Sequence, residues 1–201
     1  LADRVRFESV VKSTIFLPMA ISFVGASVIW KFVYAYRPPG TAQIGLLNAI
    51  VSAMGGTPRG WLTHAPENSF FLMAIMIWIQ TGFCMVILSA AIKGVPKELI
   101  EAARVDGANA FQIFFRITLP YIRGSIITVA TTVALSVLRV FDIVYVMTNG
   151  QFNTEVIANR MYVEMFKFRN FGHAGALAVI LLVVVMPVMI VNVRNLRQQR
   201  S

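Results

Sequence analysis

Two stretches of this chain, Phe70–Ile92 and Phe171–Val193, contain no Asp, Glu, Lys or Arg. A helix needs about 20 mostly apolar residues to cross a hydrocarbon core, and both stretches are long enough. Two more qualify while carrying charge. Ser13–Phe32 is uncharged before Lys31, and Gly124–Met147 contains Arg139 and Asp142. The sequence therefore predicts an all-α, polytopic transmembrane helix bundle with four spans visible. Buried helices of a large soluble core fit less well. Soluble helices are amphipathic, whereas Phe70–Ile92 and Ala174–Val193 are apolar nearly all round. Internal Pro18 and Pro187 would each cost about 3 kcal/mol in an exposed helix; inside a bundle, neighbours satisfy the freed carbonyls. Charged residues make up 13% of the chain, about half the share usual in soluble domains. The first span lacks the small-residue cleavage pattern of a signal peptide.

The charges set an expected orientation. Arg4, Arg6 and Lys12 precede the first span, and Lys93, Lys97, Arg104, Arg116 and Arg123 lie between the second and third. Arg194, Arg197 and Arg200 follow the fourth. If the spans alternate, these eleven share one side, against five on the other: Arg37, Arg59, Arg160, Lys167 and Arg169. Cytoplasmic segments carry the basic excess, so both visible termini and the middle link are expected in the cytoplasm. Topology thus explains most of the +9 net charge. No nucleic-acid-reading module is visible, and nucleic acid is set aside as a partner. Cys84, the single cysteine, leaves no intrachain disulfide possible.

The outer links read differently from the middle one. Residues 37–69 are rich in turn formers (Pro38-Pro39-Gly40, Gly55-Gly56, Thr57-Pro58), with a short helix expected over Ile44–Met54. Residues 148–170 open on Thr148-Asn149-Gly150 and continue through Tyr162, Phe166 and Phe168. The middle link, Lys93–Arg123, predicts two short helices. Pro96 suits a first helical position, and Glu98 and Glu101 suit the positive end of the helix dipole. Gly107 can end the helix in a left-handed conformation. Asn109 and Gln112 have capping-box spacing for the second helix. Phe111, Phe114, Phe115 and Ile117 give that helix an apolar side, and Pro120 breaks it. The small Ala102-Ala103 pair lets another surface approach closely. The residues alone leave two readings, an interfacial hairpin without a partner and a docking element. No repeat or interdomain linker is seen, so residues 1–201 read as a single transmembrane domain.

Glu101-Ala102-Ala103, Gly107, Ile117, Leu119 and Pro120 match, position for position, the EAA motif of ABC importer permeases. The chain resembles that family over most of its length. Val140–Thr148 and Phe171–Ala176 are similar to segments of its sugar-type members, and Val156–Arg160 is closest in wording to α-glucoside permeases of the maltose-type branch. Where such members have a Gly-Gly-rich turn, this chain reads Thr148-Asn149-Gly150-Gln151. The resemblance implies the core of a type I importer permease in the bacterial cytoplasmic membrane. It implies that Glu101, Ala102, Ala103, Arg104, Asp106 and Gly107 form a cytoplasmic coupling helix seated on an ATPase. The implied partners are a second permease subunit, two ATPase subunits, an extracytoplasmic sugar-binding protein, a sugar substrate and membrane lipid. The family core has a further span before these four, and the chain starts at Leu1, so an N-terminal piece is expected to be missing.

The third span carries the other candidates. On a helical wheel Ser125, Thr128, Thr132, Ser136, Arg139 and Asp142 share one arc of roughly 120°. A charge near the bilayer centre is costly, and Arg139 and Asp142, three apart, can offset each other. Thr132, Ser136, Arg139 and Asp142 then line a sugar path, with Phe141 and Tyr145 stacking on a sugar ring. Interhelical polar contacts, with Arg139 snorkelling outward, explain the same stripe. Gln80 and Thr81 are further mid-span polar residues. His64 and His173 are far apart in sequence, with no cysteine partner, and no metal is expected. No G-x-x-x-x-G-K-[ST] loop exists, so no cofactor is expected and ATP belongs on partner subunits. The chain is expected to be a transport subunit, not an enzyme. The alternatives are a permease for another solute, such as glycerol phosphate, an ion-coupled transporter or channel, or a scaffold without transport. A gradient-driven transporter needs coupling carboxylates within the spans, and only Asp142 qualifies.

Overall fold

The computed structural model describes residues 8–38 and 40–198. Arg4, Arg6, Pro39 and Arg200, used above, lie outside the described residues, as does the side chain of Arg197. All regular structure among the described residues is helical: α1 (Glu8–Phe16), α2 (Phe23–Tyr34), α3 (Leu46–Ala53), α4 (Glu67–Lys93), α5 (Lys97–Val105), α6 (Ala110–Ile113), α7 (Leu119–Tyr121), α8 (Arg123–Leu138), α9 (Asp142–Met147), α10 (Ile157–Tyr162) and α11 (Phe171–Gln198). A 3₁₀ turn follows α1 (Leu17–Ala20), and π-helical turns follow α6 (Phe114–Thr118) and α10 (Val163–Lys167).

Helices α4 and α11 are long and apolar enough to cross a membrane unbroken. The first and third expected spans are not single helices. The first bends by 106° between Val10–Ala20 and Phe23–Tyr34. Pro18 has no N–H to continue an α-helical ladder, and the chain tightens into the 3₁₀ turn there. Ser22 then starts a new helix, its hydroxyl accepting from the Gly25 N–H at 3.1 Å. The 12 residues of α2 reach only about 18 Å. In the third expected span α8 ends at Leu138 rather than near Met147, and α9 restarts at Asp142. Ala110–Tyr121 meets Arg123–Leu138 at 68°.

The chain divides into two compact units, Leu1–Gly82 with Arg139–Val183, and Phe83–Leu138 with Val184–Ser201. The core of the first is Ala26, Tyr34, Leu72, Ile75, Met76, Ile79, Ile143, Val144 and Met147, drawn from α2, α4 and α9. In lipid there is little hydrophobic gain from moving apolar groups off solvent, so close packing and polar contacts hold helices together. Both occur here. Gly82 admits α1 so closely that an added Cβ would stand 2.9 Å from the Ile15 carbonyl oxygen. The Tyr34 hydroxyl donates to the Phe71 carbonyl at 3.0 Å.

Residues 35–66 are organised around Asn48, which is fully buried. Its Nδ2 donates to the carbonyls of Ala35 (2.9 Å) and Arg59 (3.1 Å), and its Oδ1 accepts the Arg59 N–H at 3.1 Å. Helix α3 replaces the expected Ile44–Met54 and starts after Gly45. A Cβ on Gly45 would run into the Ala35 carbonyl, so space, not φ, demands glycine there.

In the second unit α8 is joined to α11 by a polar contact. Asn192 Nδ2 donates to Thr131 Oγ1 at 2.9 Å. Asn192 interrupts an otherwise apolar run, and the bond removes the cost of carrying an unsatisfied amide through lipid.

Candidate functional site

The middle link forms the expected helix–elbow–helix, with one boundary moved. Pro96 caps α5 from outside rather than occupying its first turn. At the other end Gly107 has φ +79°, a conformation that only glycine adopts cheaply. Around it the Gly107 N–H donates to the Arg104 carbonyl (3.1 Å) and the Ala108 N–H to the Ala103 carbonyl (2.9 Å). This pair of bonds is the Schellman arrangement, and it satisfies carbonyls that a helix end leaves unpaired. The capping box forms immediately afterwards. Asn109 Oδ1 accepts from the Gln112 N–H (2.9 Å), and Gln112 Oε1 accepts from the Asn109 N–H (2.8 Å). The elbow is therefore fixed by backbone and side-chain bonds on both sides of one glycine.

Burial sorts the motif residues. Ala103 is buried, while Glu101, Ala102, Arg104, Asp106 and Gly107 are exposed. Ala103 thus supports the elbow from inside, and Ala102 alone of the alanine pair offers a small outward surface. The apolar side of the second helix is mostly uncovered. Phe111, Phe114 and Phe115 are exposed, and Ile113 and Thr118 are the buried ones. The helical run breaks one residue after Pro120, bending by 68° into Arg123–Leu138. Pro120 itself sits within α7, and because it has no N–H to give the Arg116 carbonyl, the preceding turn widens to π. An open cleft of about 440 Å³ lies at the elbow, lined by Asp106, Gly107, Ala108, Gln112, Arg116 and Ile117.

The wheel drawn for the third span does not survive beyond Leu138. Phe141 has φ −131° and ψ −58°, so Arg139 and Asp142 are not three apart on one helix. Asp142 instead opens α9, where an acid complements the helix dipole. On α8 the hydroxyls turn back on their own helix: Thr128 to the Gly124 carbonyl, Thr132 to Thr128 and Ser136 to Thr132, at 2.8–3.1 Å. Their hydrogens are committed, and their oxygens keep acceptor capacity. Thr132 and Ser136 belong to the second unit, and Arg139, Phe141, Asp142 and Tyr145 to the first.

Phe141 and Tyr145 do come together, with ring centroids 5.1 Å apart and planes 23° from parallel. Tyr162 packs against both, 5.1 Å from Phe141 and 5.0 Å from Tyr145, and Phe166 lies 4.9 Å beyond Tyr162. The phenol of Tyr145, by hydrogen bonding to it, pushes the Tyr162 hydroxyl above its ordinary pKa.

Residues 4–197 match the family described as binding-protein-dependent transport system inner membrane component. The chain belongs to this family. It is a multi-pass inner membrane component of a transport system rather than an enzyme. It is 63% identical over 201 residues to the osmoprotective compounds uptake permease protein GgtC of Synechocystis, covering 100% of this chain and 72% of that one. It is 57% identical over 196 residues to the alpha-glucoside transport system permease protein AglF of Rhizobium meliloti, covering 97% of this chain and 58% of that one. A crystal structure of a bacterial ABC transporter that imports the acidic polysaccharide alginate contains a chain of the same fold. Its TM-score is 0.84 at 24% identity, over 98% of this chain and 69% of that chain.

Within this family member, sequence reasoning missed three features. One is the outward setting of the Phe111 side of the hairpin, because periodicity locates an apolar face but not what covers it. Another is the Thr131–Asn192 bond, for which a lone amide in an apolar span was the available signal. The third is the packing of Tyr162 and Phe166 with Phe141 and Tyr145, on a helix that the sequence left unassigned.

Proposed function

We propose that this chain is the permease subunit of an ATP-driven importer of α-glucosides or related oligosaccharides, forming half of the translocation path. The single observation that carries the coupling role is the elbow at Gly107, a protrusion fixed on both sides and bearing the exposed Glu101, Ala102 and Asp106. A rigid body transmits displacement, whereas a loose loop would absorb it. The similarity to AglF supports the cargo.

In this reading both visible termini and the hairpin face the cytoplasm, and residues 1–201 act as a single transmembrane domain. The hairpin docks on one of two ATPase subunits, a second permease completes the path, and an extracytoplasmic binding protein delivers the sugar. When ATP binding draws the ATPases together, the docked α5 moves with them and the path opens toward the binding protein. Each state must differ in its contacts for such coupling to exist. Thr132, Ser136, Arg139, Asp142, Phe141 and Tyr145 contribute to the sugar path.

Vesicles holding the complete complex, with loaded binding protein outside and ATP inside, test this directly. Uptake of an α-glucoside that requires both ATP and binding protein is expected. Uptake of glycerol phosphate with no uptake of sugar would contradict it. The name of GgtC favours a second cargo, an osmoprotective compound, and competition in the same assay decides between them.

A further inference from the structure

Phe141, Tyr145, Tyr162 and Phe166 make a continuous run of rings in the first unit. None of them belongs to the buried cluster of α2, α4 and α9 or to the side chains packed against it. They pack on one another, and they are not fully covered: Phe166 is 65% exposed and Tyr145 39%. Rings that served only the core would be sealed within it.

The backbone beneath them is held firmly. Asn159, fully buried one turn before Tyr162, donates to Glu155 Oε1 at 2.7 Å. Glu164, buried between Tyr162 and Phe166, pairs with Arg160 at 2.6 Å. The Asn170 N–H donates to the Glu164 carbonyl at 2.8 Å. A preordered surface loses little further entropy when a ligand arrives.

The chemistry of this surface is specific. Four π-faces accept apolar C–H groups, and two neighbouring phenols, Tyr145 and Tyr162, give and accept hydrogen bonds. A pyranose ring is complementary, apolar across its faces and hydroxylated at its rim. We propose that Tyr162 and Phe166, in the link after the third span, extend the sugar-contacting surface of Phe141 and Tyr145, so that a sugar moves along four rings rather than two. The proposal rests on the sugar-import reading given above.

Tyr162→Leu and Phe166→Leu keep apolar volume and remove the ring, whereas Tyr162→Phe and Phe166→Tyr keep the ring. In the reconstituted complex, the amount of assembled complex and the rate of sugar uptake at saturating loaded binding protein are measured for each. The leucine variants should assemble normally and lose about tenfold in uptake, while each aromatic swap should lose less than the leucine variant at the same position, Tyr162→Phe losing only what its hydroxyl contributes. Leucine variants that transport at the wild-type rate would overturn the proposal. So would a loss of assembled complex large enough to account for all of their lost uptake, which would make the rings a packing element or an interfacial belt. A wild-type complex that imports no sugar would instead remove the underlying reading, an outcome visible before any variant is made.

Discussion

The Ala108 N–H donates to the carbonyl of Ala103 at 2.9 Å, across a glycine held at φ +79°. That bond joins the buried alanine of the motif to the residue that begins the turn into α6. Positions 103 and 107 are thereby linked physically: Ala103 anchors the elbow and Gly107 lets it close. Motif residues that sit apart in sequence have one structural task.

The capping box next to the elbow predicts a graded effect. Asn109→Ala removes the acceptor for the Gln112 N–H and should cost about 1 kcal/mol of helix stability. Asn109→Ser, which keeps a capping oxygen, should cost less. Sugar uptake by reconstituted complexes is expected to fall in the order wild type, serine, alanine, at equal membrane abundance.

Asn48 predicts a stability effect far from the hairpin. Asn48→Ala removes bonds to Ala35 and to both backbone groups of Arg59. At about 1 kcal/mol net for each bond, the purified complex should melt several degrees lower. Proteolysis should cut residues 35–66 sooner. An unchanged melting curve and cleavage pattern would show that Asn48 does not hold this link.

Asp142→Asn separates two accounts of that carboxylate. As the first residue of α9 it interacts with the helix dipole, worth about 0.3–1 kcal/mol. The variant should therefore reach normal membrane abundance. Collapse of the subunit would restore the idea of a tightly buried Arg139–Asp142 pair, for which stranding one charge costs about 3–5 kcal/mol.

The orientation is tested by labelling. With Cys84 replaced by alanine, cysteines at Gly56 and Asn153 should react with an impermeant reagent from outside intact cells, and one at Asn109 should not. The reverse pattern would overturn the charge-based topology and place the hairpin away from any ATPase.

Much of this architecture was legible in the sequence where local chemistry decides it. Gly107, Asn109 and Gln112 behave as their side chains require, and charge-free runs became α4 and α11. The breaks were harder to see. Hydropathy averages over Ile21-Ser22 and over Arg139–Phe141 without registering that a hydroxyl cap starts a new helix at the first and that Phe141 leaves helical geometry at the second. The wheel drawn through Arg139 and Asp142 assumed continuity across such a break. Tyr162 and Phe166 were visible as aromatics, but their meeting with Phe141 and Tyr145 depends on tertiary packing that periodicity does not encode.

Coupling of ATP hydrolysis to transport through the elbow is read most directly from sugar uptake in vesicles carrying the Gly107→Val complex. Beyond its chain neighbours, nothing lies within 4 Å of a Cβ added at Gly107, so the substitution acts chiefly through the backbone. A β-branched residue at positive φ costs about 1–3 kcal/mol and should open the elbow, whereas Gly107→Asn tolerates the conformation better. Both variants should reach normal membrane abundance, with uptake reduced at least about tenfold for valine and largely retained for asparagine. A Gly107→Val complex importing sugar at the wild-type rate would contradict coupling through the elbow.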